Sequence, residues 1–182
     1  MKYFASILVI AACLCSWAAL AEPKPFAEPI LLTSCGQSAD ALMMKTLLTK
    51  DSLIFAYLPA ATASDLAGKG SLLMVVGGSS KGLGAAKISA EEETNRATGL
   101  LNAAHEAGIP VLIAHLGGTA RRGALSDGFN RLGAEGAQRI FVVKGGDNDS
   151  LFTKIAQGKN IPMQAAETAL QVGPLVRALY RH

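Results

Sequence analysis

Five short runs of nearly uninterrupted apolar residues recur along this chain, and a segment of helical periodicity separates most neighbours. The runs are Ile30–Thr33, Leu53–Tyr57, Leu72–Val76, Val111–His115 and Arg139–Val143, with a weaker sixth near Ile161–Met163. A strand with one wet face alternates apolar and polar residues, whereas a strand covered on both faces does not. Strands alternating with helices at this spacing form right-handed crossovers. The predicted fold is therefore α/β: a three-layer, open, mostly parallel sheet of five or six strands, Rossmann-like or flavodoxin-like.

The helices are signalled by their ends. Ser89-Ala90-Glu91-Glu92 is a capping box, in which hydroxyl and carboxylate each satisfy an orphan backbone N–H. Ala97, Leu100, Leu101 and Ala104 follow at helical spacing, and Gly108 and Pro110 end that helix. Ser38 is the expected cap of a helix burying Leu42, Leu47 and Leu48. Ser126 is expected to cap another, and Asn148 or Asp149 one that carries Leu151, Phe152 and Ile155. Leu175, Val176 and Leu179 mark a last helix begun or interrupted at Pro174.

Residues 1–21 read as a secretory signal peptide. Lys2 gives a positive start, Tyr3–Cys15 is almost wholly apolar, and Ala19-Leu20-Ala21 supplies small residues before a cleavage point at Glu22. Ile10-Ala11-Ala12-Cys13 offers a second reading, a lipobox that would anchor the chain through lipidated Cys13. An uncleaved anchor is a third. The expected location is periplasmic or otherwise extracytoplasmic, with no membrane span once the leader is removed. Residues 22–29 then form a short linker, and residues 30–182 a single domain.

Composition excludes several classes. Half of the residues are hydrophobic, which rules out a disordered chain. The net charge is +3, and the basic residues are scattered with few aromatics among them, so nucleic acid is not an expected partner. Downstream of the leader Cys35 stands alone, without an internal disulfide partner, and no Cys or His cluster has metal-ligand spacing. Neither a metal nor a cofactor is expected.

In a parallel sheet every strand-to-helix loop emerges at one edge, and ligands bind there where the strand order reverses. Those loops are the unusual parts of this sequence. The first holds Ser34, Cys35, Gln37 and Ser38; the second Gly78, Ser79, Ser80 and Lys81; the third Gly118, Arg121 and Arg122; the fourth Lys144. Glycine lets backbone N–H groups approach a ligand, helix N-termini add partial positive charge, and arginine grips a carboxylate or phosphate with two hydrogen bonds. Together with His115, at the end of its strand, these residues predict a site for a small anionic molecule, a carboxylate or phosphate. Arg121 and Arg122 cannot both point the same way from an extended loop. One is expected to turn inward towards Ser79, Ser80 and the helix after Ser38, the other to face solvent or pair with Asp127. The alternative is an enzyme on the same edge, a hydrolase or transferase with Cys35 as nucleophile and His115 and Asp127 behind it. A third reading is an envelope protein-interaction module.

Three resemblances bear on these readings. Val75–Gly84 is similar to the cofactor loop of short-chain dehydrogenases, but it follows the third strand, and the chain lacks the Tyr and Lys four residues apart that such catalysis needs. Leu72–Val111 faintly resembles isochorismatase-like hydrolases, which carry an Asp where this chain has Gly77. The motifs Thr33–Asp40, Gly77–Ala85, His115–Gly118, Ala120–Gly123 and Ser126-Asp127 together resemble an uncharacterised family of exported bacterial proteins, domain of unknown function 6305, over roughly Ile30 to Met163. That resemblance implies export and an α/β domain, brings no activity, and implies variation at position 35, which counts against a nucleophilic Cys35.

Overall fold

The computed structural model describes residues 25–180. The expected leader, with Cys13, lies outside them. No helix among the described residues is long and apolar enough to cross a membrane.

Six strands, β1 (Ile30–Cys35), β2 (Phe55–Tyr57), β3 (Ser71–Val76), β4 (Val111–His115), β5 (Arg139–Val143) and β6 (Met163–Ala166), form one sheet in the order β2-β1-β3-β4-β5-β6. Every pairing is parallel. The order reverses between β1 and β3. β1, β3 and β4 are buried at every position, as their unbroken apolar runs require.

The helices are α1 (Asp40–Lys50), α2 (Ser80–Ala86), α3 (Ala90–Glu106), α4 (Ala124–Glu135), α5 (Leu151–Lys159) and α6 (Ala169–Arg177), with 3-10 turns at Ala63–Leu66 and Gly118–Arg121. Alternate strand residues point to opposite faces. Leu31, Met74, Val76, Ile113 and Val142 meet α3, α4 and α5 on one face. Leu32, Leu73, Val75, Leu112 and Phe141 meet α1 and α6 on the other.

Several local expectations need correction. β2 begins at Phe55, not Leu53, and pairs only with β1, so it is an edge. β6 starts at Met163, where the expected run ended. Leu42 faces solvent, and α1 buries Ala41, Met44, Leu47 and Leu48 instead. Ser38 lies one residue ahead of the cap position, its Oγ accepting from Asp40 N at 3.3 Å. Ser126 is the third residue of α4 and buried there. The α5 N-terminus is held chiefly by Asp147, whose carboxylate accepts from Phe152 N at 2.7 Å and Thr153 N at 3.1 Å. Asp149 helps at Leu151 N, 3.2 Å away. Helix α6 opens with a Thr168–Gln171 capping box and runs on through Pro174.

The stretch expected to be a linker is packed over its described part. Phe26 lies 6.5 Å from the Tyr180 ring, Ala27 O accepts from Ser71 Oγ at 2.8 Å, and Glu28 Oε1 accepts from Ile54 N at 2.6 Å.

Two glycines of α2 separate propensity from packing. A Cβ on Gly82 would stand 1.8 Å from Gln37 O, whereas one on Gly84 would meet nothing within 4 Å. Gly84→Ala should stabilise by about 0.5–1 kcal/mol, the ordinary gain of Ala in a helix. Gly82→Ala should destabilise despite the same propensity gain, because two backbones must part. Urea denaturation of both variants checks the opposite signs.

Candidate functional site

The expected edge of the sheet is laced shut at its reversal point. Gly77 N donates to Cys35 O at 3.0 Å and Ser79 N to Gly36 O at 2.9 Å, and Gln37 forms an isolated bridge with Gly78. Gly36 sits at φ +106°, and a Cβ there would be 2.5 Å from Gly77 O. Ser126 Oγ accepts from Gly78 N at 3.1 Å and faces Gly78 O at 3.2 Å, tying α4 to the same turn. Ser79 caps α2 through Gly82 N at 3.1 Å. Ser80 and Lys81 are exposed. The crevice in which such sheets bind ligands is thus filled by this chain's own backbone.

The basic residues of that edge are largely answered by carboxylates. Arg121 lies against Gly77 and Gly117, and its Nε donates to Asp40, in the first turn of α1, at 3.1 Å. Arg122 turns the other way. Its Nε donates to Asp127 at 2.7 Å, its Nη1 and Nη2 grip Asp149 at 2.8 and 2.7 Å, and Nη1 also donates to Gly146 O at 2.6 Å. The fork of Arg122 holds the Asp149 carboxyl down at about 2. Lys144 pairs with Glu167 at 2.8 Å, both exposed. Arg121 and Arg122 therefore turn to different partners, one to α1 and the other to Asp127 as expected, but neither faces solvent: the Arg122 side chain is 13% exposed and that of Arg121 26%. A ligand anion there would compete with carboxylates already in place, Asp40 at Arg121 and Asp127 and Asp149 at Arg122.

The catalytic candidates are not assembled. Cys35 is fully buried, its thiol directed at Phe129 O at 3.7 Å, and burial pushes it up to about 12. That direction counts against a nucleophilic Cys35, because removing a thiolate from water costs more than the partial charge of a nearby helix N-terminus returns. His115 is buried beside the Phe152 ring, at a 5.1 Å centroid separation, with Nε2–H donating to Gly118 O at 3.0 Å. Its Nδ1 has no hydrogen-bond partner. Asp127 serves Arg122, Asn130 and the Gly123 N–H. Ser34 is buried too, its Oγ unpartnered. No exposed nucleophile stands beside an available base among these residues.

Two residues unmarked in the sequence reading organise this edge. Glu93 is buried in α3 and grips Arg96 in a double hydrogen bond, 2.7 Å on each side. Glu93 also accepts from Gly36 N at 2.9 Å and Gln37 Nε2 at 3.1 Å, while Arg96 donates to Ser34 O and Ala61 O at 2.6 Å. Helical spacing carries the signal for Glu93: it lies four residues before Ala97, on the face that Ala97, Leu100, Leu101 and Ala104 bury, whereas Glu92 is taken by the capping box.

The opposite edge is more open. A cavity of about 990 Å³ lies across the starts of β4 and β5 and the approach to β6, walled by Phe26, Ile109, Pro110, Ala137, Ile161 and Pro162. His105, Arg139 and Lys159 supply its nitrogen groups. His105 Nε2 and Lys159 Nζ each reach a backbone carbonyl, Gly136 O and Glu135 O, at 2.8 and 2.9 Å. Arg139 has no carboxylate partner among the described residues, and its buried Nε makes no hydrogen bond.

Two measurements test these assignments. Iodoacetamide at pH 8 should leave Cys35 unmodified in the folded chain and label it on unfolding, read at the Cys35 peptide by mass spectrometry. Burial holds the His115 pKa below its usual 6.5. The unfolded state therefore binds the proton first as pH falls. This contribution to stability is complete above about pH 6.5 and declines below it by up to about 1.4 kcal/mol per pH unit until the folded-state pKa is reached. His115→Gln should flatten that part of the pH–stability curve.

Comparisons place the chain among known proteins. No curated protein matches it. Three solved structures are similar to it at a low level. They are a putative lipolytic protein of the G-D-S-L family from Desulfitobacterium hafniense (13% identity, 75% of each chain, TM-score 0.35), a psychrotrophic esterase EstA from Pseudoalteromonas (12% identity, 82% of this chain and 92% of that one, TM-score 0.34) and a GDSL-like lipase from Bacteroides thetaiotaomicron (12% identity, 81% and 73%, TM-score 0.34). Likeness at that level transfers no activity. The profile of one family, by contrast, matches residues 27–180, nearly the whole of the described fold. The chain belongs to the DUF6305 family, a domain of unknown function.

Proposed function

We propose that this chain is a non-catalytic binding protein for a small anion with an apolar body, held at the Arg139 cavity. The observation that carries the reading is an unpaired, half-buried guanidinium on an apolar-walled cavity. A buried cationic group without a counter-charge is costly, and a ligand carboxylate would supply one. The volume suits a small ligand. The Ile109, Ile161 and Pro162 walls favour a hydrocarbon or aromatic body over a bare inorganic anion. The leader read in residues 1–21 places this role outside the cytoplasm in the same proposal.

The expected anion site at Arg121 and Arg122 is the less favoured location, since each of those guanidinium groups already has a carboxylate. The buried thiol and imidazole speak against the hydrolase alternative.

Titration of the full chain with decanoate and with inorganic phosphate separates the two locations. Decanoate should bind and raise the melting temperature, and Arg139→Gln should weaken it at least about tenfold, the loss of one charge-assisted contact. Arg122→Gln should leave decanoate affinity unchanged. The reading fails if decanoate does not bind, or if its affinity depends on Arg122 and not on Arg139.

A further inference from the structure

The β2 edge is lightly guarded: Pro59 follows it by two residues, and the strand itself carries no charge. Soluble proteins protect free sheet edges with charges, prolines or bulges, because unpaired backbone groups invite another strand. β6, at the other edge, has Lys159 and Pro162 before it and Glu167 directly after it. Around β2 no charged residue occurs between Asp51 and Asp65. Ile54 is 62% exposed and Leu58 40%, and both flank the strand. The apolar surface continues onto α1. Lys45 Nζ lies 5.5 Å from the Tyr57 ring, and Leu42, one turn earlier on the same side of the helix, is 54% exposed.

The backbone register says what could pair there. Ile30 N donates to Ile54 O at 2.9 Å, and Leu58 N donates to Leu32 O at 3.0 Å. In a parallel ladder this turns the groups of Ile54, Ala56 and Leu58 towards β1 and those of Phe55 and Tyr57 outward. The segment Ile54-Phe55-Ala56-Tyr57-Leu58 is self-complementary about its centre. Laid antiparallel on a second copy, with a twofold axis at Ala56, it sets Phe55 opposite Tyr57 and Ile54 opposite Leu58. In that register outward groups meet outward groups, so Phe55 and Tyr57 exchange both backbone hydrogen bonds. Aromatic faces aromatic on one side of the sheet, and aliphatic faces aliphatic on the other.

We propose that two copies of this chain join edge to edge through β2, in antiparallel register about Ala56, making one continuous twelve-stranded sheet. The interface is isologous, as a twofold dimer demands. Leu42 of each copy extends its apolar area beyond the strands.

Sedimentation velocity on the full chain, with Cys13 and Cys15 replaced by Ser, tests the association. The chain should be dimeric at micromolar concentration, and Ile54→Lys should raise the dissociation constant at least about tenfold. Because Ile54 is solvent-exposed, that variant should keep the wild-type far-ultraviolet circular dichroism. Register has its own test. Paired Ala56 residues would form a non-hydrogen-bonded antiparallel pair, with Cα atoms about 4.5 Å apart, within the span of a disulfide. Ala56→Cys should therefore give a covalent dimer on mild oxidation, and Leu170→Cys, exposed on α6, should not. A monomer at every concentration, a dimer indifferent to Ile54→Lys, or a dimer that Ala56→Cys does not cross-link would each overturn the proposal.

Discussion

The paired carboxylate and guanidinium of Glu93 and Arg96 hold the reversal edge of the sheet together. An ion pair taken out of water is stabilising only when its geometry is good and its remaining hydrogen-bonding capacity is used. Here the two groups meet in a double hydrogen bond, and their remaining contacts go to Gly36, Gln37, Ser34 and Ala61. Helix α3 thereby fixes the loop after β1 and the segment after β2 at once. With Gly36 and Gln37 fixed, the Gly77–Ser79 turn has a template to bond to, and α4 closes on that turn through Ser126. The lacing is cumulative, so the same few groups that give the edge its rigidity also occupy its crevice.

Much of this architecture is legible in the sequence. β4 and β5 begin and end where their apolar runs do, and the Ser89–Glu92 capping box starts α3 as its spacing requires. These features depend on neighbours in sequence. The apolar pattern starts β2 too early, because Leu53 and Ile54 continue it although the strand begins at Phe55. Leu42 reads as buried because a helical face drawn through three leucines can be rotated by one position, and Ala41 and Met44 define the true face.

The candidate site was less legible, for a physical reason. The sequence anticipates Asp127, five residues from Arg122, but counting Arg121, Arg122 and Lys144 on one edge says nothing about the more distant carboxylates that reach them. Asp40 lies 81 residues from Arg121, Asp149 lies 27 from Arg122, and Glu167 lies 23 from Lys144. Such pairings are products of topology and leave no local signal. Arg139 is the converse case. It opens an apolar strand and reads as a lone boundary charge, yet the fold sets it on a cavity wall without a carboxylate. Cys35 likewise reads as a candidate nucleophile, whereas the Phe129 and α3 residues packed over it decide its chemistry.

The Phe26–Tyr180 contact has a consequence for how the molecule opens. Tyr180 also bonds Ser71 through its hydroxyl at 2.9 Å, and Gly173 of α6 lies close against Asp51 and Leu47 at the end of α1. The last helix therefore crosses back over the first, and the two ends of the described chain share one seam beside β1 and β3. Terminal segments ordinarily fray at little cost and exchange their amide protons early. In this fold neither end can lift without uncovering the central strands. Amide exchange at the start of β1 and along α6 should accordingly be one shared event, with the slow-exchanging core reaching to both ends of the described chain.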